Sequence, residues 1–275
     1  MKVFDVGVKP GETLKPVPCS LCGWPRFTPV IPGYVKCSAC GVVFQRVQPP
    51  QDQLSRRYAT EYLDMQLHRN ADSLDNAKQT LKDFGIPLGD GGRVLDVGSS
   101  IGEFLIWMKA LGWTPQGIDI CRETAEIAVS RGIPTYVGLL TDAPFLPSSF
   151  NLIHMAQLIE HVANPMTTLY AAKKLLAPGG TLVLSTPNWA SLERLATGSN
   201  WRSLISDHLT MFTPKSITKY LEGAEFDVDR LVTWGCIPKG HAPKWIANPI
   251  NSLVKALGVG DMLAVKAKHA SRSRE

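Results

Sequence analysis

Residues Arg93–Phe104 read RVLDVGSSIGEF, a stretch that contains a complete change of secondary structure. An apolar β-type run ends at Gly98, and a second glycine, Gly102, precedes the helical pattern of Glu103–Lys109. A strand, a glycine-containing turn and a helix in this order bring backbone N–H groups and a helix N-terminus close to any ligand bound at the turn. The stretch therefore predicts an α/β fold with a ligand site at this turn.

A second apolar strand follows at Gln116–Ile120 and carries the carboxylate Asp119 near its end. An acid at this position is where a ribose places its hydroxyl groups, so the two strands indicate a nucleotide or nucleoside cofactor. The alternative is a purely structural turn that Asp119 caps. Ser100 stands where a dinucleotide site has its middle glycine, and no Walker lysine is present. The turn therefore favours a smaller, uncharged or zwitterionic group over a pyrophosphate.

The run Asp96–Gly102 resembles the D-x-G-x-G-x-G signature of class I S-adenosylmethionine-dependent methyltransferases, with Ser100 in place of the middle glycine. Four later segments also resemble the family. Pro144–Ile153 resembles its approach to strand four, and Leu158–Pro165 resembles its acid–histidine segment. Leu175–Leu182 resembles its turn before strand five, and Asp207–Pro214 resembles an element of one broad branch. The resemblance covers about residues 75–270, and its motifs occur in the family's order.

The resemblance implies a Rossmann-like α/β fold with a seven-stranded sheet in the order 3-2-1-4-5-7-6 and an antiparallel last strand. Alternating strand and helix patterns along the chain independently favour a parallel sheet with helices on both faces. Candidate strands are 93–98, 115–120, 134–137, 151–156, 181–186, 226–233 and 262–268.

The resemblance also implies how S-adenosylmethionine would bind. Asp96 would bind its ammonium group, Asp119 would accept from the ribose hydroxyls, and Ile120 would pack against the adenine. The family's usual acid beside the adenine is replaced here by Leu139, so the backbone of Leu140 is expected to hold that ring, with Asp142 as an alternative. The residues expected to bind the cofactor are Asp96, Gly98, Ser99, Gly102, Asp119, Ile120, Leu140 and Gln157.

Two histidines are candidates for catalysis. Methyl transfer from a sulfonium mainly requires in-line positioning, and a base helps when the acceptor is a hydroxyl or a carbon acid. The resemblance places His161 beside the methyl group, and His208 lies in a long insertion where it could act as a base or bind the substrate. A structural histidine and a helix cap are the respective alternatives. His154 lies in the middle of a strand and is expected in the core.

Four of the six cysteines form two C-x-x-C pairs, Cys19 with Cys22 and Cys37 with Cys40, and glycine follows each pair. Glycine allows the turn to point backbone N–H groups at the sulfurs, and two such turns present four thiolates tetrahedrally, as Zn²⁺ prefers. Disulfides, disfavoured in a reducing cytosol, and a redox pair are the alternatives. Because four thiolates leave no open position, the predicted zinc is structural.

The sequence divides into three predicted regions. Residues 1–50 form a zinc ribbon with an N-terminal extension, 51–90 form a helical linker or cap, and 91–275 form the methyltransferase domain. Insertions at 187–212 and 234–259 interrupt this domain, and the first is too long for a simple βα loop. Long loops at the carboxyl edge of an α/β sheet usually carry function.

The 275 residues carry a net charge of +5 and are 44% hydrophobic, which supports a sizeable core. Part of the positive surplus lies in the C-terminal tail, and we interpret that tail as solvated rather than as a nucleic-acid contact. No apolar run reaches the ~18–20 residues of a membrane span. No signal-peptide pattern is present, so we expect a cytoplasmic protein. The oligomeric state is left open.

These observations favour S-adenosylmethionine-dependent methyl transfer to a small molecule or a saccharide, with the acceptor atom left open. One alternative is an rRNA methyltransferase whose zinc ribbon contacts RNA. Against it, the basic excess is small and Ala156–Ile159 lacks the N/D-P-P-Y sequence used on the amino groups of bases. The other alternative is a non-catalytic protein whose ribbon recruits a partner.

Overall fold

The structure is a computed structural model that describes residues 15–50, 52–54, 57, 72–89, 91–235 and 243–269. Residues 51, 55–56, 58–71 and 90 of the predicted 51–90 linker or cap lie outside these residues, and so does the end of the C-terminal tail. The strands are β1 (Lys15–Pro16), β2 (Phe27–Ile31), β3 (Tyr34–Cys37), β4 (Val43–Gln45), β5 (Val47–Gln48), β6 (Gly92–Val97), β7 (Trp113–Asp119), β8 (Thr135–Val137), β9 (Phe150–Ala156), β10 (Leu176–Pro187), β11 (Thr210–Met211), β12 (Phe226–Trp234) and β13 (Met262–His269). The α-helices are α1 (Asp72–Asp83), α2 (Glu103–Ala110), α3 (Arg122–Ser130), α4 (Pro165–Leu175), α5 (Leu192–Thr197), α6 (Pro214–Gly223) and α7 (Lys244–Leu257).

The main sheet has seven strands in the order β12-β13-β10-β9-β6-β7-β8. Neighbouring strands from β10 to β8 are parallel, whereas β13 is antiparallel to both β10 and β12. This is the predicted order 3-2-1-4-5-7-6 with its antiparallel last strand, which is confirmed. β10 begins earlier than predicted, because Leu176 already pairs with Phe150 before an irregularity that ends at Thr181.

Both faces of the sheet are buried, as its continuous apolar strands require. Leu95 and Val97 of β6 pack into a core with α4 and α6, whereas Val94, next to Leu95, faces a second core with α1 and α2. Successive side chains of a strand point to opposite faces, so one short apolar run supplies both cores. Because helices cover both faces, the carboxyl edge of the parallel strands is where a ligand can reach the sheet.

A second sheet joins the N-terminal segment to the 187–212 insertion. We call residues 15–48, with strands β1 to β5, the cysteine ribbon. The sequence pattern predicts two ribbon strands, Tyr34–Lys36 and Val42–Phe44, which correspond to β3 and β4. Strand β11 of the insertion adds to them in the order β11-β4-β3-β2. Thr210 pairs with Phe44 and Met211 with Val43. The sequence did not predict this pairing, which makes the ribbon and the insertion one sheet.

The ribbon and the insertion also share a small core of their own. Its buried members are Tyr34, Val43, Trp189, Trp201, Leu204 and Met211. On another side the ribbon contacts α6, where Ser20 Oγ lies 2.6 Å from Tyr220 Oη and Lys219 Nζ donates to Cys40 O at 3.1 Å. The ribbon is therefore packed against the rest of the chain in two places.

No helix among the described residues combines the length and the hydropathy needed to cross a lipid bilayer.

Candidate functional site

A cavity of about 320 Å³ opens at the carboxyl edge of β6, β7 and β9. A volume of this size lies within the ~300–1,000 Å³ range of small-molecule sites. Its walls come from the strand ends, from the loop after β8 and from the start of α4. Of the residues predicted to act, Gly98, Asp119, Ile120, Leu140, Gln157 and His161 line this cavity.

A second, smaller cavity of about 90 Å³ lies on the other side of Gly98. It is lined by the predicted residues Asp96 and Ser99, by His154, and by Ser73 and Leu74 of α1. Gly98 and Ala156 line both cavities. The two cavities therefore adjoin at the strand ends, and together they form one elongated site.

The first two backbone N–H groups of the turn after β6 donate hydrogen bonds within the protein. The amides of Gly98 and Ser99 both donate to the carbonyl of Ile118, at 2.8 Å and 2.9 Å. Gly98 has φ +79°, and a Cβ there would lie 3.2 Å from Leu158 Cδ1. The glycine is thus required by its backbone conformation and by the close approach of Leu158.

Ser100, which replaces the family's middle glycine, has φ +50° and therefore lies in the left-handed region. This conformation costs a residue with a side chain about 1–2 kcal/mol, and glycine would avoid that cost. Part of the gain is offset because glycine loses more backbone entropy on folding than serine does. We predict that Ser100→Gly raises the free energy of unfolding by about 0.5–1 kcal/mol. Chemical denaturation of both proteins checks this, and a loss of stability would contradict it.

Gly102 lines neither cavity. It has φ +81°, and a Cβ there would lie 3.2 Å from Ala128 Cβ of α3. The structure therefore places the predicted close approach of Gly102 between α2 and α3 rather than at a ligand. Its part in cofactor binding stays a prediction.

Asp119 is buried at the end of β7, where both of its carboxylate oxygens are engaged. Oδ2 accepts from the Ser100 amide at 2.7 Å, and Oδ1 accepts from the Cys121 amide at 2.9 Å and from the Thr124 hydroxyl at 3.2 Å. Burial raises the pKa of this carboxyl, and the three donors oppose that effect. A carboxylate has about four acceptor sites, so Asp119 can hold the turn and also accept from a ligand hydroxyl.

Asp96 forms a buried pair with His154, which the sequence assigned only to the core. The two residues are register partners on the neighbouring strands β6 and β9, and Asp96 Oδ1 accepts from His154 Nδ1 at 2.7 Å. The His154 ring stacks on Phe104 with 4.1 Å between centroids. His154 therefore fixes the carboxylate that was predicted to bind the ammonium group.

The apolar wall of the larger cavity comes from Ile118, Ile120, Leu139 and Leu140. Thr141 lines the cavity beside them, whereas Asp142 does not line it and bonds Thr141 Oγ1 at 3.0 Å. This wall offers apolar contact and backbone groups to a flat ring, without a carboxylate. That the backbone of Leu140 holds the adenine stays a prediction.

Gln157 follows β9 with φ +52°, a conformation that residues with side chains rarely adopt. Its amide donates to Ser185 O at 2.9 Å, which continues the sheet pairing to β10. The chain then turns back along the cavity through Leu158 to His161. Such backbone conformations concentrate at binding sites, and this one directs the acid–histidine segment toward the cavity.

His161 and His208 lie together, with 4.6 Å between their ring centroids. In each ring Nδ1 faces a backbone carbonyl, Asp207 O at 3.0 Å for His161 and Ser203 O at 2.7 Å for His208. Because a carbonyl only accepts, Nδ1 carries the proton and Nε2 carries the lone pair when the ring is neutral. His161 lines the larger cavity, whereas His208 is buried behind it.

The cysteine ribbon holds the backbone that carries His208. Tyr34 Oη donates to His208 O at 2.7 Å, and Gln45 Nε2 donates to Ser206 O at 2.7 Å and to His208 O at 3.2 Å. Arg57 Nη1 pairs with Asp207 Oδ1 at 2.9 Å. The position of the histidine pair therefore depends on residues far away in the sequence, which sequence reasoning missed.

We predict that Gln45→Leu lowers the free energy of unfolding by about 1–3 kcal/mol, because buried carbonyls of the insertion lose a donor. Gln79→Leu, an exposed change on α1, is the matched control and is expected to stay within about 0.5 kcal/mol of the parent. Denaturant unfolding of the three proteins decides the matter. Equal stability of both variants would show that Gln45 does not hold the insertion.

Four cysteines of the ribbon converge on one point. A sulfur-to-sulfur distance of 3.4 Å separates Cys19 from Cys40, and one of 3.6 Å separates Cys22 from Cys37. These distances are too long for a disulfide and close to the ~3.8 Å that Zn–S bonds of ~2.3 Å give in a tetrahedron. Burial alone would raise the pKa of the Cys37 thiol, but the amides of Cys40 and Ala39 donate to its sulfur and bring the pKa to about 7.

A family model described as a methyltransferase domain matches residues 56–231. Among curated relatives, the ubiquinone biosynthesis O-methyltransferase of Xanthomonas campestris pv. campestris (strain B100) is 35% identical over 105 residues, 36% of this chain and 44% of the relative. The protein of the same name from Paracidovorax citrulli (strain AAC00-1) is 32% identical over 106 residues, again 36% and 44%. The chain thus matches less than half the length of these relatives.

Solved structures share the fold. A possible histamine N-methyltransferase from Thermotoga maritima gives a TM-score of 0.58 at 19% identity, covering 79% of this chain and 99% of that one. Phosphoethanolamine N-methyltransferase 2 of Haemonchus contortus, solved with S-adenosyl-L-methionine, gives 0.59 at 15% identity, covering 82% and 63%. The family model spans the sheet from β6 to β10 and both cavities. The chain therefore belongs to the methyltransferase domain family.

Proposed function

We propose that the chain transfers a methyl group from S-adenosylmethionine to a hydroxyl of a small molecule or saccharide. The carrying observation is the pair of adjoining cavities at the carboxyl edge of the sheet, one with Asp119 and an apolar wall and the other with Asp96. The names of the curated relatives, O-methyltransferases of ubiquinone biosynthesis, support a small acceptor and an oxygen atom.

The residues of both cavities fit this cofactor. The larger cavity offers apolar contact for the adenine through Ile120 and Leu140 and an acceptor for the ribose at Asp119. The smaller one offers the Asp96 carboxylate to the ammonium group. The Ser99 hydroxyl is buried in its wall and has no hydrogen-bond partner within the described part of the chain. A buried polar group in this state is what a ligand can complete.

When bound, the cofactor supplies an electrophilic methyl group on a positively charged sulfur. The chain's residues then have three tasks. Asp119 and Asp96 would hold the two ends of the cofactor and so orient it for in-line transfer to an acceptor. The apolar walls exclude water from the reacting atoms. His161, which lines the larger cavity, would accept the proton of the acceptor hydroxyl through its Nε2 lone pair, and His208 packs against its ring.

The four cysteines of the ribbon hold Zn²⁺ in a structural site. The closeness of the four sulfurs and the backbone amides directed at Cys37 support this assignment. Thiolate coordination of this kind suits a reducing, cytoplasmic compartment. Tyr34 and β4 of the ribbon contact the chain's own insertion, which supports a scaffolding role rather than RNA contact or partner recruitment.

Calorimetry with S-adenosylmethionine and its demethylated product tests the proposal, followed by transfer of a labelled methyl group to a panel of phenols, sugars and RNA. We expect both cofactor forms to bind with one site per chain, and label to appear in a hydroxyl compound. Absence of cofactor binding would overturn the proposal. Label in RNA alone would favour an RNA methyltransferase.

A further inference from the structure

Glu160 completes a cluster with the histidine pair. One ligand atom from each of Glu160, His161 and His208 lies within 4.8 Å of the other two. Glu160 is buried, and its Oε2 accepts from the Thr186 hydroxyl at 2.9 Å. We propose that these three residues form a second metal site, which binds a divalent cation such as Mn²⁺ at the acceptor end of the larger cavity.

The ligand set suits a first-row divalent metal. Two imidazoles and one carboxylate on one side of an ion leave its other positions open, and this combination is distinct from the sulfur site of the ribbon. Ligand atoms on one side of an ion, each at ~2.1 Å, stand roughly 3.0–3.4 Å apart, so separations of up to 4.8 Å have to shorten by as much as about 1.8 Å. The three side chains therefore have to close on the ion as it binds.

The groups around the cluster orient it for metal binding. Backbone carbonyls at Nδ1 leave Nε2 of each histidine as the coordinating nitrogen, and the Thr186 hydroxyl fixes the carboxylate. Outer contacts of this kind are typical of metal-binding histidines and acids. The amides of Leu209 and Thr210 donate to Glu160 O at 2.7 Å and 3.2 Å, so the two segments that carry the ligands are tied together.

His161 brings the site to the cavity wall, where the ion can bind an acceptor oxygen. A bound cation lowers the pKa of a hydroxyl, whose proton then passes to solvent water. The oxygen forms its bond to the methyl carbon as the carbon–sulfur bond breaks, and the electron pair stays on sulfur. With the ion bound, the Nε2 lone pairs are donated to the metal, so the ion replaces the histidine base in activating the acceptor. This role in catalysis rests on the proposed function, whereas the metal site itself does not.

The test titrates Mn²⁺ into the full chain with its ribbon already loaded with zinc, and follows free Mn²⁺ by electron paramagnetic resonance. Mn²⁺ prefers nitrogen and oxygen ligands, so it does not report on the cysteines. We expect one ion per chain, and at least about tenfold weaker binding in Glu160→Gln and in His208→Ala, since even loss of an outer contact costs about 10–100-fold. His269→Ala, an exposed histidine at the end of β13, is the control and is expected to bind as the parent does.

Thermal unfolding and cofactor calorimetry on the same samples show whether each variant is folded. Glu160→Gln keeps the volume of the side chain, so it serves if His208→Ala does not fold. Absence of Mn²⁺ binding to the parent, or unchanged binding in Glu160→Gln, would overturn the metal site. Cofactor binding without Mn²⁺ binding would leave the proposed methyltransferase intact, whereas the reverse result would retain the metal site alone.

Discussion

The chain with Cys37 replaced by serine is expected to lose the proposed zinc site and to release the 187–212 insertion. Metal binding at structural zinc sites is worth about 10–16 kcal/mol in zinc-finger peptides, and a segment as short as the ribbon buries little core of its own. Without the metal, β4 no longer holds β11 in place, and Tyr34 and Gln45 no longer hold the backbone at His208. The change therefore reaches the histidine pair as well as the ribbon.

Zinc analysis and hydrogen exchange by mass spectrometry measure both effects. Peptides covering 203–211 are expected to exchange much faster in Cys37→Ser, whereas peptides of the central strand β6 stay protected. Cys121→Ser, which removes a buried thiol outside the four-cysteine group, is the control and is expected to bind zinc as the parent does. A Cys37→Ser chain with a protected insertion would show that the ribbon does not position it.

Asp119→Ala is expected to weaken binding of S-adenosylmethionine by about 1–3 kcal/mol, or roughly 5- to 150-fold, through lost charged hydrogen bonds. Part of the loss arises because the amides of Ser100 and Cys121 lose the carboxylate that holds the turn. Protonation acts in the same direction. Since burial raises the pKa of this carboxyl, cofactor affinity is expected to fall as the pH falls through that raised pKa.

Calorimetry at several pH values measures these effects. Asp142→Ala is the matched control, because Asp142 is exposed, lies close in sequence and does not line the cavity. It is expected to bind as the parent does. Unchanged affinity in Asp119→Ala would remove Asp119 from the cofactor site, and an equal loss in Asp142→Ala would restore the alternative in which Asp142 meets the adenine.

The sheet was predictable because its signals are local. Each strand of the sheet has its own apolar run, and short motifs at the strand ends gave the order through their resemblance to a family. The walls of the larger cavity follow from the same motifs, since Gly98, Asp119 and His161 end or follow parallel strands whose carboxyl ends meet at one edge.

Contacts between distant segments were not predictable. The pairing of Asp96 with His154 depends on the register between β6 and β9, which a single sequence does not specify. Asp261 is a second case: this buried carboxylate accepts from Trp201 Nε1 at 2.6 Å and from Ser191 Oγ at 3.2 Å, and it pairs with Arg202. It ties the insertion to the start of β13 across the fold. The sequence shows no sign of this role, which the burial of the carboxylate in the structure reveals.

The shared sheet of ribbon and insertion limits how this protein can be shortened. A chain cut to begin after the ribbon would expose one face of Trp189, Trp201, Leu204 and Met211 and would leave β11 without a neighbour. An uncovered apolar patch beside an open strand edge is a site of self-association. Residues 91–275 expressed alone would therefore be expected to aggregate, and the ribbon should be kept in any minimal version of this protein.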